Sequence, residues 1–286
     1  MRSTGLRWWV AGLALVLLAG SGCQDDASDR SERYVALGDS YSSGGGLARV
    51  DPGSGECQRS ALSYPHLVAR ARGARLTDVT CSGAGTASAV AAQKLQDGSS
   101  VPRQLDAVTA DTDLVTVGLG FNDSGFFYKL VFGCAQLAAD DPTGAPCREF
   151  AAGLDLRTLT DPIGTSVRKL LTTIAKQAPH ATVVLVGYPQ LVPAEGHCAE
   201  LPLADGDYAY VRQGLELLNQ SLAAAAEQAG ATYVDVWAAS EGHDICAGDD
   251  AWVNGSTSQA DVAAFYHPFA QGQRAVADLV KEALEQ

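Results

Sequence analysis

Short runs of apolar residues alternate with longer amphipathic segments from Tyr34 to the C-terminus of the 286-residue chain. Five of these runs consist of residues prone to form β-strands and are bounded by turn-forming residues. They occupy residues 34–38, 75–80, 114–120, 182–188 and 232–237, the second being the weakest. Most are apolar at consecutive positions, so both faces of their sheet should be covered. The pattern predicts a five-stranded parallel sheet.

Between the runs lie helical patterns, with apolar residues three and four positions apart. The clearest ends at Gly230, a residue suited to the left-handed position after a helix. A second is expected to begin with Asp161 as N-cap and Pro162 as first residue, and a third to run from about Phe269 to Glu285. The stripe of the first consists of Tyr208, Val211, Leu215, Leu218, Leu222 and Ala225. Helices alternating with parallel strands predict an α/β fold, a three-layer α/β/α sandwich in one domain.

Three irregular stretches, 124–160, 190–206 and 238–264, carry four of the six cysteines that follow Cys23. Ligand sites of open parallel sheets lie beyond the carboxyl ends of the strands. We therefore expect these stretches to form the walls of a pocket.

The first 22 residues are typical of a signal peptide. Arg2 and Arg7 precede an apolar run over 8–19, which is short for a bilayer span and is followed by small residues. Residues after this segment are polar, as expected of a solvated tether. The predicted boundaries are a signal peptide over 1–22, a tether over 23–33 and a folded domain over 34–286.

Cys23 resembles the lipidated first residue of a bacterial lipoprotein. Gly20 departs from that pattern, since an aliphatic residue usually stands three positions before the cysteine. The signal peptide predicts a location outside the cell. Whether the chain is anchored to a membrane through lipidated Cys23 stays open.

The charge balance excludes one class of partner. The chain has 20 Lys and Arg against 33 Asp and Glu, a formal net charge of −13. Such a surface cannot neutralise a run of phosphates, so nucleic acid is not an expected partner.

Six cysteines remain once Cys23 is set aside, and in an exported chain they predict three disulfides. Pairing in chain order closes the shortest loops and is the arrangement we favour. The alternative is zinc binding, because His197 adjoins Cys198 and His243 lies three residues before Cys246. No CxxC pair accompanies them, so no metal is expected.

Chemistry-bearing residues follow three of the predicted strands. The first strand leads into Gly38-Asp39-Ser40, the second is followed by Cys81-Ser82-Gly83, and the third by Phe121-Asn122. His267 stands in a turn before the last helix. Because the carboxyl ends of parallel strands share one edge of a sheet, these residues predict a nucleophile, oxyanion donors and a base in one site.

These blocks resemble the SGNH, or GDSL-type, hydrolases, whose motifs supply Ser, Gly, Asn and His in this order. The resemblance covers nearly the whole chain after Tyr34 and implies a flavodoxin-like α/β/α fold. It implies Ser40 as nucleophile and His267 as general base. It also implies an oxyanion hole built from the backbone N–H groups of Ser40 and Gly83 and the side chain of Asn122.

Three further segments are similar to the secreted actinobacterial esterase and lipase branch of that family: YVALGDSYSSG (34–44), EGHDIC (241–246) and WVNG (252–255). The branch implies the disulfides Cys57–Cys81, Cys134–Cys147 and Cys198–Cys246. It implies an exported serine carboxylic-ester hydrolase that cleaves lipid or fatty-acyl esters through an acyl-serine intermediate, without metal or organic cofactor.

Two other functions fit the sequence. One is a deacetylase of polysaccharide esters, and the other is a surface lipoprotein that keeps the fold but only binds glycans or lipids. In each case the partner is a small molecule or a lipid, and we expect a monomer.

The chain departs from the family at one position. Asp usually lies three residues before the catalytic His, and Ala264 stands there. Asp261 is the nearby carboxylate that could replace it. The other interpretation is a Ser40–His267 dyad in which a backbone carbonyl, that of Ala264, orients the imidazole.

Other residues have structural roles as their first interpretation. Asp39 is expected to anchor N–H groups of its turn, and His243 to bond to its own loop rather than act as a rival base. The aromatic residues that could line an acyl groove, or simply belong to the core, are Trp237, Trp252, Phe126, Phe127 and Tyr128.

Overall fold

The computed structural model of the chain describes residues 1–2, 4–5, 31–152 and 154–286. Ser31–Gln286 form one compact unit. The apolar part of the expected signal peptide, Cys23, and the tether up to residue 30 lie outside the described residues. Among those described, no helix has the length and hydropathy that a membrane crossing requires.

Five parallel strands form the predicted sheet: β1 (Arg33–Gly38), β2 (Arg75–Asp78), β5 (Leu114–Gly118), β6 (Thr182–Val186) and β7 (Thr232–Val234). Their order is β2-β1-β5-β6-β7. An additional hairpin pairs β3 (Gln93–Lys94) with β4 (Ser100–Val101) in antiparallel fashion. The sequence did not predict this hairpin, because two-residue strands show no alternation of apolar and polar positions.

The strands β1 and β5 lie side by side and are buried throughout except at Arg33. Val35 lies opposite Val115, and these side chains belong to the core on one face of the sheet. Tyr34 and Ala36 belong to a separate cluster on the other face, because successive residues of a strand point to opposite sides. The sheet is therefore covered on both faces.

The helices are α1 (Ser40–Ser43), α2 (Tyr64–Arg72), α3 (Thr86–Val90), α4 (Cys134–Leu137), α5 (Pro146–Phe150), α6 (Arg157–Gln177), α7 (Tyr208–Ala229), α8 (Val236–Ala239) and α9 (Ala270–Ala283). Apolar residues of α6 and α7 share one cluster with the sheet, and those of α2 and α9 share the other. The three-layer α/β/α sandwich is confirmed.

The helix boundaries agree with the prediction at one helix and differ at another. At the end of α7, Gly230 adopts the expected left-handed conformation, with φ 70°. The expected start of α6 at Asp161 is wrong, because the helix begins at Arg157, whose N–H donates to Asp155 Oδ1 at 2.9 Å. Pro162 lies inside α6, where its fixed φ fits the helix but it donates no backbone hydrogen bond and its ring crowds the carbonyl four residues earlier.

The stretch 124–160, expected to be irregular, contains a π-helical turn over Tyr128–Gly133 as well as α4 and α5. Three disulfides join Cys57 to Cys81, Cys134 to Cys147 and Cys198 to Cys246, as pairing in chain order predicts. The third consumes both thiols that the zinc alternative needed. Within residues 31–152 and 154–286, no group of three or more His, Cys, Asp or Glu could hold a metal ion.

Candidate active site

Ser40 is the first residue of α1, directly beyond the end of β1. Asp39 caps this short helix with a side-chain oxygen. Glycine is needed at Gly38 and Gly118, because a Cβ there would lie 2.3 Å and 2.2 Å from the Ser42 side chain. The tight turn leaves Ser40 half-buried, and among the described residues its backbone N–H has no hydrogen-bond partner.

His267 contacts the Ser40 hydroxyl, with Nε2 2.7 Å from Oγ. Its Nδ1 lies 2.7 Å from the carbonyl oxygen of Phe265. Because a carbonyl can only accept, Nδ1 carries the proton and Nε2 is free to accept from Ser40. Burial lowers the pKa of His267, and the bond to Phe265 opposes this only in part, so the imidazole is neutral at neutral pH.

The carbonyl that orients His267 is that of Phe265, so the expectation for Ala264 is wrong. The Ala264 carbonyl instead accepts from Asn254 Nδ2 at 3.0 Å and from the His267 backbone N–H at 3.2 Å. Asp261 is exposed and has a left-handed φ of 61°. Since Nδ1 is already paired with Phe265, the ring has no second proton for that carboxylate.

Asn254 shapes the loop that carries His267. Its buried side-chain Nδ2 lies within 3.2 Å of three carbonyl oxygens, those of Thr257, Ala263 and Ala264. In the sequence, Asn254 stands out only as part of the segment 252–255, since Asn-Gly in a loop otherwise indicates a turn. One side chain thereby fixes the backbone turn that presents the base.

The predicted oxyanion residues follow the two strands that flank β1. Gly83 lies beyond β2, has a φ of 75°, and presents a backbone N–H that no acceptor contacts in the described part of the chain. Asn122 lies beyond β5, and its Nδ2 donates one hydrogen bond to the Ala84 carbonyl at 3.0 Å. Because β1 lies between β2 and β5, both residues follow strands adjacent to the one that leads to Ser40.

Two further residues singled out in the sequence are Phe127, which lies near His267, and His243, which bonds within its own loop. The Phe127 ring lies 6.2 Å from that of His267, centroid to centroid. His243 stacks on Trp252 at 4.6 Å, and its Nδ1 lies 2.7 Å from the Asp250 carbonyl oxygen. His243 is therefore bonded to its own loop, as expected.

Two cavities adjoin the loops of Gly83 and Asn122. The first, of about 340 Å³, has a lining of mixed polarity that includes Glu56, Gln58, Ser82, Gly83, Gln93 and Lys94. The second, of about 240 Å³, is lined in part by Asp123, the residue after Asn122. Its lining is mainly apolar and includes Phe126, Leu130, Phe150, Leu154, Leu159 and the cysteines of the Cys134–Cys147 disulfide.

The fold and the site together define a carboxylic ester hydrolase of the α/β/α type. Residues 36–275 match the sequence profile of the GDSL-like Lipase/Acylhydrolase family, and the chain belongs to this family. The resemblance seen in the sequence motifs is thereby confirmed.

Relatives in Streptomyces match over most of the chain. Lipase 2 of Streptomyces coelicolor A3(2) is 39% identical over 261 residues, which are 88% of this chain and 85% of that protein. The crystal structure of an extracellular lipase from Streptomyces rimosus matches with a TM-score of 0.74 at 30% identity, covering 88% of this chain and 100% of that one. Phospholipase A1 from Streptomyces albidoflavus NA297 matches with a TM-score of 0.69 at 30% identity, covering 88% and 99%.

Proposed function

We propose that the chain is an exported serine esterase that cleaves fatty-acyl esters through an acyl-Ser40 intermediate, with His267 as general base. The observation that carries this proposal is one hydrogen-bonded series, running from the Phe265 carbonyl through the imidazole to the Ser40 hydroxyl. A hydroxyl is a weak nucleophile until an adjacent base accepts its proton, and this series supplies that base in the correct tautomer.

In acylation, the Ser40 oxygen attacks the ester carbonyl carbon while its proton passes to Nε2 of His267. The imidazolium keeps its Nδ1–H on the Phe265 carbonyl, so the ring stays oriented. It then gives the Nε2 proton to the departing alcohol oxygen, and the acyl group stays on Ser40. The lowered pKa of His267 favours this second transfer, because a weaker base is a stronger acid once protonated.

Negative charge on the ester oxygen is stabilised by three donors: the N–H groups of Ser40 and Gly83 and the second side-chain N–H of Asn122. The bond from Asn122 to the Ala84 carbonyl orients this amide before the substrate arrives. In deacylation, His267 takes a proton from water as the water oxygen attacks the acyl carbon, and the same donors hold the oxyanion. The tetrahedral intermediate then collapses: the bond from the acyl carbon to Ser40 Oγ breaks, His267 returns the proton to Oγ, and the carboxylic acid leaves. Neither step needs a metal or an organic cofactor.

The apolar cavity beside the Asn122 loop supports a fatty-acyl rather than an acetyl substrate. Each methylene buried there gains roughly 0.8 kcal/mol, whereas an acetyl group would leave the cavity unfilled. The names of the relatives, two lipases and a phospholipase A1, support the same substrate class. A carbohydrate O-deacetylase is the second candidate, favoured by the polar side chains of the cavity at Gly83, which could bind the hydroxyl groups of a sugar.

A panel of p-nitrophenyl acetate, butyrate, octanoate and palmitate, with acetylated xylan beside it, separates the two candidates. We expect kcat/KM to rise from acetate to the longer chains, and no acetate release from xylan. A preference for acetate together with deacetylation of xylan would select the deacetylase. Persistent turnover in Ser40→Ala would contradict the acyl-serine mechanism for either substrate.

Export is supported by the three disulfides, which form and persist in oxidising compartments, and by the similarity to an extracellular lipase. If Cys23 is lipidated, the mature chain begins at Cys23 and loses Arg2 and Arg7, which leaves 18 basic against 33 acidic residues. Intact-mass analysis and partition into detergent test this anchoring. An unmodified N-terminus at another residue would contradict lipidation while leaving export intact.

A further inference from the structure

Asp39 is fully buried beside Ser40, and the mechanism above gives it no chemical step. Its Oδ1 accepts the Tyr41 N–H at 2.9 Å, and its Oδ2 accepts the Tyr188 hydroxyl at 2.7 Å. A buried carboxylate costs free energy unless hydrogen-bond donors compensate it. These two hydrogen bonds therefore stabilise the carboxylate and also fix the positions of the Tyr41 N–H and the Tyr188 hydroxyl.

Tyr188 connects Asp39 to the oxyanion loop. Its hydroxyl accepts the backbone N–H of Phe121 at 3.2 Å, and Phe121 is the residue before Asn122. Its own backbone N–H donates to Asn219 Oδ1 in α7 at 2.9 Å, which fixes the position of Tyr188 from the far side. One phenol thus links the nucleophile turn to the loop of the oxyanion amide.

Tyr41 makes the corresponding connection to the base. Its hydroxyl donates to the Tyr266 carbonyl at 2.5 Å, and Tyr266 is the residue before His267. Its ring lies 5.2 Å from the imidazole. The rings of Tyr41, Phe121 and Tyr188 also pack on one another, with centroid distances of 4.5 to 5.5 Å.

We propose that Asp39, Tyr41 and Tyr188 act as one positioning unit that holds the oxyanion loop and the loop of the base in register with Ser40. The carboxylate is the common acceptor at its centre, and it exchanges no proton with the substrate. The unit is buried and makes no hydrogen bond to a reacting atom, so it acts through the placement of Ser40, Asn122 and His267. This inference rests on the proposed function.

Tyr188→Phe tests the unit by removing a hydroxyl while keeping the ring and its packing. The Phe121 N–H and one oxygen of Asp39 each lose a partner, so the loop that carries Asn122 is held less firmly, although the amide keeps its bond to the Ala84 carbonyl. We expect kcat on p-nitrophenyl butyrate to fall about 10- to 100-fold, since small misplacements of reacting groups have effects of this size. KM should change by less than about threefold, because no contact with the substrate is removed.

Tyr34→Phe is the matched control. Its hydroxyl is buried and bonded to Thr116 Oγ1 at 2.8 Å on the opposite face of the sheet. Both variants should lower the melting temperature, but Tyr34→Phe should keep its kcat. Asp39→Asn, which retains an acceptor, should keep about tenfold more kcat than Asp39→Ala.

Three outcomes would overturn the positioning unit: wild-type kcat in Tyr188→Phe, an equal loss in Tyr34→Phe, or equal activity of the two Asp39 variants. The Ser40→Ala variant separates this failure from failure of the proposed function. If Ser40→Ala is inactive while Tyr188→Phe is fully active, only the positioning unit falls. If Ser40→Ala is active, the acyl-serine mechanism falls as well.

Discussion

A neutral carbonyl, rather than a carboxylate, orients the imidazole of His267. Such an acceptor fixes the tautomer but stabilises the imidazolium less than a negative charge would. Asp261→Asn should therefore cost less than about tenfold in kcat, where removal of a true triad carboxylate can cost about 10⁴. His267→Ala should lose several orders of magnitude. A comparable loss in Asp261→Asn, with circular dichroism unchanged, would show that this carboxylate takes part.

The acid limb of the pH–rate profile should be set by Asp39. Burial raises the pKa of this carboxyl to about 7, the nearby Asp123 charge adds to the rise, and hydrogen bonds from Tyr188 and Tyr41 oppose it. Only the ionised form accepts from both donors, so kcat should fall as pH drops through about 7. The pKa of His267 is lowered, so the base stays neutral there. Asp39→Asn should move the limb to lower pH, and an unmoved limb would contradict this assignment.

The same carboxyl should make the fold less stable as the pH rises from about 4 to about 7. Its pKa in the folded chain, about 7, exceeds its ordinary value of 3.8, so the folded state binds the proton more tightly. The protonated carboxyl therefore stabilises the folded state fully below pH 3.8, and this stabilisation is lost as the pH rises through about 7. The free energy of unfolding changes by at most about 4 kcal/mol between these limits. Asp39→Asn should melt at a higher temperature than the wild type at about pH 8, and the gain should shrink at about pH 4. A lower melting temperature at both pH values would refute this.

The C-terminal end of α5 offers a test of the acyl site. Ala151 lines the apolar cavity, whereas the adjacent Ala152 is exposed and lies outside that lining. Ala151→Trp should lower kcat/KM for p-nitrophenyl palmitate at least about tenfold, because the indole occupies the space of the chain. Turnover of the butyrate ester should stay within about twofold, and Ala152→Trp should affect neither ester. Equal losses on both esters would place the acyl chain elsewhere.

The hydrophobic pattern predicted the strand starts better than the strand ends. Four strands begin at the predicted residue, and β1 begins one residue early, at Arg33. The predicted strand at 182–188 ends at Val186, because Tyr188 leaves the sheet and bonds to Asp39, which is 149 residues away in the chain. A side chain with high β propensity can thus serve a distant partner, and this cannot be read from a local pattern.

The residues at the centre of the site were predictable, but their support was not. Motif order singled out Ser40 and His267, which the structure brings together. The choice between the carbonyls of Ala264 and Phe265 depends on a turn in which Tyr266 has a φ of 56°. Non-glycine residues rarely adopt this conformation, so nothing in the local sequence indicates it.

Across the whole chain, the three disulfides should differ in what they protect. Cys57–Cys81 lies two residues before Gly83, and both its cysteines are buried, whereas those of Cys198–Cys246 are half-buried. Replacing either pair by Ser should cost on the order of 2 to 4 kcal/mol in stability. Loss of Cys57–Cys81 should also lower kcat, because the Gly83 N–H is no longer held in place. Equal kcat in the two double variants, measured well below their melting temperatures, would contradict this difference.

A backbone oxygen that orients the base cannot be deleted by any single codon change. Phe265 is 38% exposed, and any amino acid at this position would carry a backbone carbonyl. Substitutions at position 265 can therefore accumulate by genetic drift while the acceptor is kept, whereas substitution of a carboxylate partner would remove the acceptor. The sensitive position is instead Asn254, whose amide shapes the turn. Inactive variants of this protein should therefore arise by mutation of Asn254, although this residue takes no part in the chemical steps.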